Sequence, residues 1–361
     1  MVPKLPRSVR VACAPAVRLL LPALALLLGL VATSGAARAE TKSPSSVSIT
    51  AVGDIAMAPS TDGGGGFFPR MRSALTGDVV LGNLEGTLAT GGTSKCSPSS
   101  TNCFAFRAPP AYASVLRRAG FTIMNLANNH ALDYGPTGQS QTVAALDRVG
   151  LRHTGRPGEI AYVRVGNTRI ALLGFAPYAW AQSLLDIPAA VRLVRRAAAK
   201  ADIVLVTMHA GAEGAAHEHV RPGTETFLGE NRGNAIAFSH AVVKAGADVV
   251  VGSGPHVLRG MEWYRGRLIA YSLGNFLGNG TLALSGPDGV STVLRVTLRR
   301  NGSWAGGSVV PVRLVSPGVP APDPSGAALD EVRSLSKQDF GRNAVRVTRS
   351  GTLQPPAWRT G

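Results

Sequence analysis

The chain has 361 residues, 45% hydrophobic, 6% aromatic and 16% charged, which excludes both a disordered polyelectrolyte and a multi-span membrane protein. Its 37 Lys and Arg against 21 Asp and Glu give a formal net charge of +16, favouring anionic partners over cationic ones. The length fits one large α/β domain, and 43 Gly and 24 Pro imply many tight turns.

Residues 1–39 carry five basic residues and no acid, an apolar run over 19–31, and small residues ending in Ala37-Arg38-Ala39. This pattern reads as a secretory signal peptide cleaved after Ala39. The apolar run falls short of the roughly 20 residues needed to span a bilayer, although an uncleaved signal would hold the chain on the outer face of the membrane. Cys13 lies upstream of the run, so a lipoprotein anchor is not expected. After cleavage 32 basic residues face 21 acidic ones, a net charge of +11. The positives are mostly Arg, scattered, and not interleaved with aromatics, so an anionic polymer is an expected partner and nucleic acid is not.

Residues 40–46 read as a tether, and the periodic pattern starts at Val47 with a short apolar strand over 47–52. Further strands are predicted over 79–81, 122–126, 162–165, 170–175, 203–208 and 249–251, alternating with helices over 111–119, 137–149, 189–199 and 234–245. The last third turns β-rich, with strands over 268–273, 292–298 and 308–314. The sequence thus predicts an α/β domain over 47–316, followed by a partly flexible C-terminal extension over 317–361 with a helix at 327–335 and a strand at 345–348. Cys96 and Cys103 are the two cysteines left after cleavage, and export places them in an oxidising compartment, so a local disulfide is expected. Its small ring limits the gain to roughly 2–3 kcal/mol.

Polar residues of ligand type gather where the predicted strands end. Asp54 follows the first strand, Asn83 and Glu85 the second, and Asn128, Asn129 and His130 the third, while His209 and His256 follow two later ones. In α/β sheets ligand crevices open at the carboxyl ends of strands, so residues far apart in sequence converge there. Carboxylate, amide oxygen and imidazole together suit borderline divalent metals such as Mn, Fe or Zn. A glycine run over 63–66, before Phe67 and Phe68, follows the Asp54 strand and reads equally as a flap at the mouth of such a site or as a surface loop with no role. It lacks the Lys-Ser/Thr ending of a nucleotide-binding loop. His217 and His219 lie in a polar, turn-rich stretch and His153 and His240 have no ligand-like neighbours, so all four read as surface or supporting residues.

Six segments in order carry a resemblance: Val-Gly-Asp54-Ile, Gly-Asn83-Leu-Glu85-Gly, Leu-Ala-Asn128-Asn129-His130 with Asp133-Tyr-Gly135, His209-Ala-Gly211-Ala-Glu213, Val-Gly252-Ser-Gly-Pro255-His256-Val and Tyr271-Ser-Leu-Gly-Asn275-Phe. Together they resemble the CapA family of bacterial capsule synthesis proteins, named for poly-γ-glutamate capsule biosynthesis, over residues 47–316. That family is similar to the calcineurin-like metallophosphatases. The resemblance implies a two-sheet sandwich flanked by helices, in four αββα layers, and one or two divalent metal ions. It implies Asp54, Glu85, Asn129, His209 and His256 as metal ligands and His130 as a catalytic acid or phosphate contact. Asn83, Asn128, Asp133, Glu213 and Asn275 would support the ligands or face the substrate.

Two departures from the metallophosphatase pattern stand out. Asp54-Ile55-Ala56 has Ala where the pattern is Asp-x-His, and Gly254-Pro255-His256 has Gly where it is His-x-His. Ala210 also takes the place of a Trp often found there. The resulting expectation is an exported protein of capsule or envelope polymer synthesis with a phosphoesterase-like metal site, acting on an anionic polymer or a phosphoester beside membrane capsule-synthesis components. The alternative is a non-catalytic accessory that binds polyanion and keeps a degenerate site.

Overall fold

The structure, a computed structural model, describes residues 46–356. The expected signal peptide lies outside the described residues, as do all but the last residue of the tether. Within the described residues the chain lays down β1 (Ser46–Ile55), β2 (Val79–Leu84), the short pair β3 (Thr87–Leu88) and β4 (Arg107–Ala108), α1 (Tyr112–Ala119), β5 (Ile123–Asn125), α2 (Gly135–Arg148) and β6 (Arg152–Thr154). It continues through β7 (Ala161–Val165), β8 (Thr168–Phe175), α3 (Ile187–Ala198), β9 (Ile203–His209), the hairpin β10 (Glu225–Phe227) and β11 (Glu230–Gly233), α4 (Ala235–Ala245), β12 (Val249–Ser253), β13 (Met261–Tyr264) and β14 (Arg267–Ala270). It closes with β15 (Asn275–Leu277), β16 (Val290–Arg299), β17 (Trp304–Val315), β18 (Val319–Pro322), α5 (Ala327–Phe340), β19 (Arg346–Val347) and β20 (Leu353–Gln354).

Two mixed sheets result. The eight-stranded sheet runs β18-β17-β16-β1-β2-β5-β6, with β15 also pairing β1, and the six-stranded sheet runs β13-β14-β12-β9-β8-β7. Within them, β1, β2, β5 and β6 run parallel, as do β8, β9, β12 and β14. The period of two along each strand sorts side chains into layers. From β9, Ile203 and Leu205 enter the core between the sheets with Ile49, Ala51 and Leu81, while Val204, Val206 and Met208 face the opposite way. There they meet Leu193, Val194 and Ala197 of α3 and Phe238 and Val242 of α4. On the far side of the other sheet, Val52, Val80 and Met124 pack on Ala113 and Leu116 of α1 and Leu146 of α2. The layers are therefore helix, sheet, sheet, helix, as the resemblance implies.

Local chemistry ends the helices at the right places. Asp186 and Asn234 cap α3 and α4 by accepting from the N–H groups of Ala189 and Ala237, each at 2.9 Å. Gly120 and Gly246 end α1 and α4 in the left-handed region, at φ 116° and 117°. One glycine bears directly on the site. A Cβ at Gly53 would stand 1.8 Å from the carbonyl oxygen of Gly274, so only glycine lets β1 run beside residue 274, and this approach sets Asp54 opposite Asn275.

Beyond residue 316 the chain pairs β18 with β17 and sends Ala328, Leu329 and Val332 of α5 into the inter-sheet core. The same helix holds the turn at 215–220. Asp339 pairs with Nδ1 of His219 at 2.7 Å and accepts from the Val220 N–H at 2.9 Å, and Glu331 faces the carboxylate of Glu218. Burial, and then the Glu218 charge, lift the Glu331 carboxyl from 4.5 to about 8. The folded state thus keeps a proton that the unfolded chain releases, a stabilising effect present below 4.5 and lost as pH rises through about 8. Urea unfolding of the wild type should show stability falling across this window, and Glu331→Gln should flatten the fall; an unchanged pH slope would contradict the pairing.

Candidate metal centre

The parallel strands end on one edge, and their last residues build the site. β1 delivers Asp54, β2 delivers Asn83 with Glu85 just beyond, β5 ends on Asn125, β9 ends on His209, and β12 leads into the turn carrying His256. Asp54, Glu85 and His209 are fully buried. One ligand atom each from Asp54, Glu85 and His256 lie within 4.8 Å of one another, a grouping able to hold a metal ion. His256 Nδ1 stands 3.4 Å from Asp54 Oδ2 and 3.8 Å from Glu85 Oε2. His209 joins from below, with Nε2 3.6 Å from Glu85 Oε1 and Nδ1 3.9 Å from Asp54 Oδ1.

The chemistry of the donors fits a divalent cation. Both oxygens of Glu85, Nε2 of His209 and Oδ1 of Asn129 are buried without a hydrogen-bond partner. Glu85 has the His256 imidazole 3.8 Å away but no hydrogen bond at either oxygen, a costly arrangement for a buried carboxylate, and a cation would answer both oxygens. Burial pushes the Glu85 carboxyl well above the usual range, with the Asp54 charge adding to the rise. For Asp54 burial acts the same way, but the bond and charge of His256 outweigh it and hold the group low. Burial opposes charge on His256, yet Glu85 and Asp54 raise its imidazole to about 10. Burial holds His209 well below its usual value and therefore neutral.

A layer of amides fixes these groups. Asn83 Nδ2 donates to Asp54 Oδ1 at 2.7 Å and faces His209 Nδ1 at 3.2 Å, while Asn83 Oδ1 accepts from Asn125 at 2.8 Å and Asn128 at 3.2 Å. Because Asp54 can only accept and the other two amides donate, the orientation of Asn83 is determined by its partners. Asn275 Oδ1 meets His256 Nδ1 at 2.8 Å, and the N–H of Gly254 donates to Asp54 Oδ2 at 3.0 Å. At Gly254, φ 105°, a Cβ would lie 3.0 Å from the His209 ring, so the position where the phosphatase pattern has a second His admits no side chain without displacing His209. His256 itself sits at φ 62°. Such backbone strain collects where a side chain must be aimed.

His130 lies at the edge of the cluster, its Nδ1 2.8 Å from Asp133 Oδ2, its ring stacked on Phe106 at 4.2 Å, and its N–H bonded to Asn128 Oδ1 at 3.0 Å. Burial lowers its pKa. Lys95 in turn pairs with Asp133 Oδ1 at 2.7 Å. Lys95 precedes the disulfide Cys96–Cys103, and the bridged loop continues to Phe104 and Phe106 beside His130, so the disulfide borders the site mouth. Glu213 Oε2 stands 3.9 Å from His256 Nε2. Asp54, Asn83, Glu85, Asn128, His209, His256 and Asn275 are thus joined in one network, with His130, Asp133 and Glu213 at its border.

Sequence reading missed three residues that hold this edge. Arg232 is buried and donates to Glu213 at 2.6 Å, and Arg259, also buried, holds Glu225 through two bonds of 2.9 and 2.7 Å. Asn125 was hidden inside an apolar strand. The glycine run 63–66 is not at the mouth: Asp62 accepts from Gly64 and Gly66, and the loop lies against Phe67 and Val115 of the outer helical layer. His153, His219 and His240 face Glu159, Asp339 and Glu262, away from the cluster.

A four-layer αββα sandwich with a buried carboxylate and imidazole cluster at its strand ends defines the class. Residues 48–280 match the family described as bacterial capsule synthesis protein PGA_cap, and the chain belongs to that family. It is similar to the capsule biosynthesis protein CapA of Bacillus anthracis, 30% identical over 301 residues, which span 77% of this chain and 68% of that protein. It is also similar to the PGA biosynthesis protein CapA of Bacillus subtilis (strain 168), 33% identical over 180 residues, 45% of this chain and 44% of that protein. Among solved structures, a 5′-nucleotidase precursor from Thermus thermophilus superposes with TM-score 0.45 at 14% identity, covering 81% of this chain and 59% of that one. A phosphatase from Mycoplasma pneumoniae does so with TM-score 0.45 at 11% identity, covering 78% and 95%.

The unpartnered Glu85 yields a crossing pair of stabilities. In chelator, Glu85→Gln should unfold about 1–3 kcal/mol less readily than wild type as pH rises into the range where the buried carboxyl must ionise, because the amide carries no charge there. At a free Mn concentration one hundred times the dissociation constant, wild type should gain about 2.7 kcal/mol and the variant nothing. Denaturation curves with and without metal check this; a variant less stable in both conditions would contradict it.

Proposed function

We propose that this chain is exported and serves capsule, poly-γ-glutamate or related envelope polymer synthesis through a divalent-metal phosphoesterase-like site. The observation that carries the reading is the set of buried donors without partners around Asp54, Glu85, His209 and His256. Family membership, the disulfide and the names of the Bacillus relatives support the setting. Among the described residues no helix is long and apolar enough to cross a membrane. Export and any anchoring therefore rest on the signal pattern of residues 1–39.

Asp54, Glu85 and His256, with His209 and Asn129, would hold the metal, Mn, Fe or Zn. Bound there, it supplies Lewis-acid polarisation and charge neutralisation for a phosphoryl group. Asp133 binds Nδ1 of His130, so Nε2 is the ring atom left to contact the phosphoryl group or, once the ring is protonated, to give a proton to a leaving oxygen. Lys95 neutralises Asp133 and keeps that pair balanced. Asn83 and Asn275 fix the orientation of the two imidazoles that flank the carboxylates.

A second reading is favoured by the missing imidazoles at Ala56 and Gly254 and by the +16 charge: an accessory that binds an anionic polymer and keeps only a remnant of the metal site. Nitrophenyl phosphomonoester and phosphodiester hydrolysis separates the two. The enzymatic reading expects turnover that responds to Mn or Zn, vanishes in His209→Ala and drops about 10²–10⁴-fold in His130→Gln. Turnover unchanged by these substitutions would contradict it. Polymer retention that survives Asp54→Ala and His256→Ala, without turnover, would establish the accessory.

A further inference from the structure

We propose that the substrate extends to both sides of its reacting group, so that this centre acts on an internal ester linkage rather than a terminal one. The inference rests on the phosphoester reading and deepens it. Two cavities open over the cluster. The first, about 400 Å³, is walled by Lys95, Asn129, Tyr178, Trp180 and Arg232; the second, about 280 Å³, by His256, Asn275, Leu282 and Asp288. Both contain Phe104, His130, Glu213 and Phe227. The donor set is thereby divided, with Asn129 in one arm and His256 in the other, while Asp54, Glu85 and His209 are buried beneath. Phe104, His130, Glu213 and Phe227 stand where the two arms meet, with His130 as the group that a linkage running from one arm to the other would pass.

The walls describe what each arm takes. Tyr178 and Trp180 stack at 5.0 Å with planes 11° apart, and Trp180 Nε1 donates to the carbonyl of Asn128 at 3.1 Å, so a flat surface is fixed to the strand end that bears Asn129. Lys95 is paired with Asp133, and Arg232 with Glu213 and Glu230, so the positive charge of this arm is already balanced. The arm therefore selects a ring-shaped substituent by its surface rather than by charge. At the rim stand Phe104, 65% exposed, and Leu228, 86% exposed on the tip of the β10–β11 hairpin. These are two of the three strongly exposed large hydrophobics among the described residues, and apolar surface kept open beside a buried polar cluster marks a binding cleft.

Calorimetry on the Mn-loaded protein tests the proposal with two probes that cannot be hydrolysed: phenylphosphonate, one-sided and dianionic, and diphenylphosphinate, two-sided and monoanionic. The second ring should make diphenylphosphinate bind about tenfold or more tightly in spite of its lower charge. Leu282→Ser, which alters the second arm alone, should remove most of that preference and leave phenylphosphonate within about twofold. Phe104→Ser, at an exposed rim position whose loss leaves the core intact, should weaken both probes. Equal affinities, or a preference for phenylphosphonate, with inorganic phosphate still bound would overturn the two-sided substrate and leave the phosphoester reading standing. Failure of inorganic phosphate and both probes to bind would overturn the phosphoester reading and this proposal with it.

Discussion

Two fully buried carboxylates, Asp54 and Glu85, share one cluster, and the surrounding structure is arranged to hold the charge of only one of them. Bringing an ionised carboxylate out of water costs many kcal/mol unless something answers it. Asp54 is answered by the protein: an amide from Asn83, a backbone N–H from Gly254 and the imidazole of His256. Glu85 receives no hydrogen bond at either oxygen. This asymmetry is what points to a cation, because a purely structural cluster would satisfy both groups alike.

The fold supplies the rigidity such a cluster requires. Parallel strands from both sheets end on one edge, so each residue is placed by a hydrogen-bonded ladder with an apolar core on either side. Glycines permit the close approaches: Gly53 admits the backbone of residue 274 and Gly254 clears the ring of His209. Outside this frame the mouth is tied by charge. Arg232 and Arg259 bind the β10–β11 hairpin to the turn after His209, and Lys95 ties the disulfide-bridged loop to Asp133. The neighbourhood is thus a rigid floor under a mouth built from loops, the division of labour expected of a binding site.

Much of this was legible in the sequence because the signals were local. The runs at 203–208 and 249–251 are apolar enough to name β9 and β12, and the helices at 111–119 and 234–245 agree with α1 and α4 to within a residue or two at each end. The ligand types at strand ends could be read because strand and ligand adjoin in the chain. What was missed depends on distant partners. β6 has the sequence Arg-His-Thr and forms only because β5 offers it an edge. The β10–β11 hairpin is polar and is held by two arginines whose partners lie up to 47 residues away. Arg232, within Glu-Asn-Arg-Gly, carries no local mark of burial; only Glu213, Glu230 and the carbonyl of Gly211 make it a core residue. The glycine run 63–66 misled for the converse reason, since a flexible composition says nothing about which layer the loop joins, and Asp62 turns it onto α1 rather than the site.

The account stands on a cation answering Glu85. The most direct test is the metal content of the protein purified without chelator, measured per chain by inductively coupled plasma mass spectrometry beside Asp54→Ala. One or two equivalents of a divalent transition metal in the wild type, lost in the variant, is the predicted result. A wild type that carries none, and takes up none on reconstitution with Mn, Fe or Zn, would contradict it.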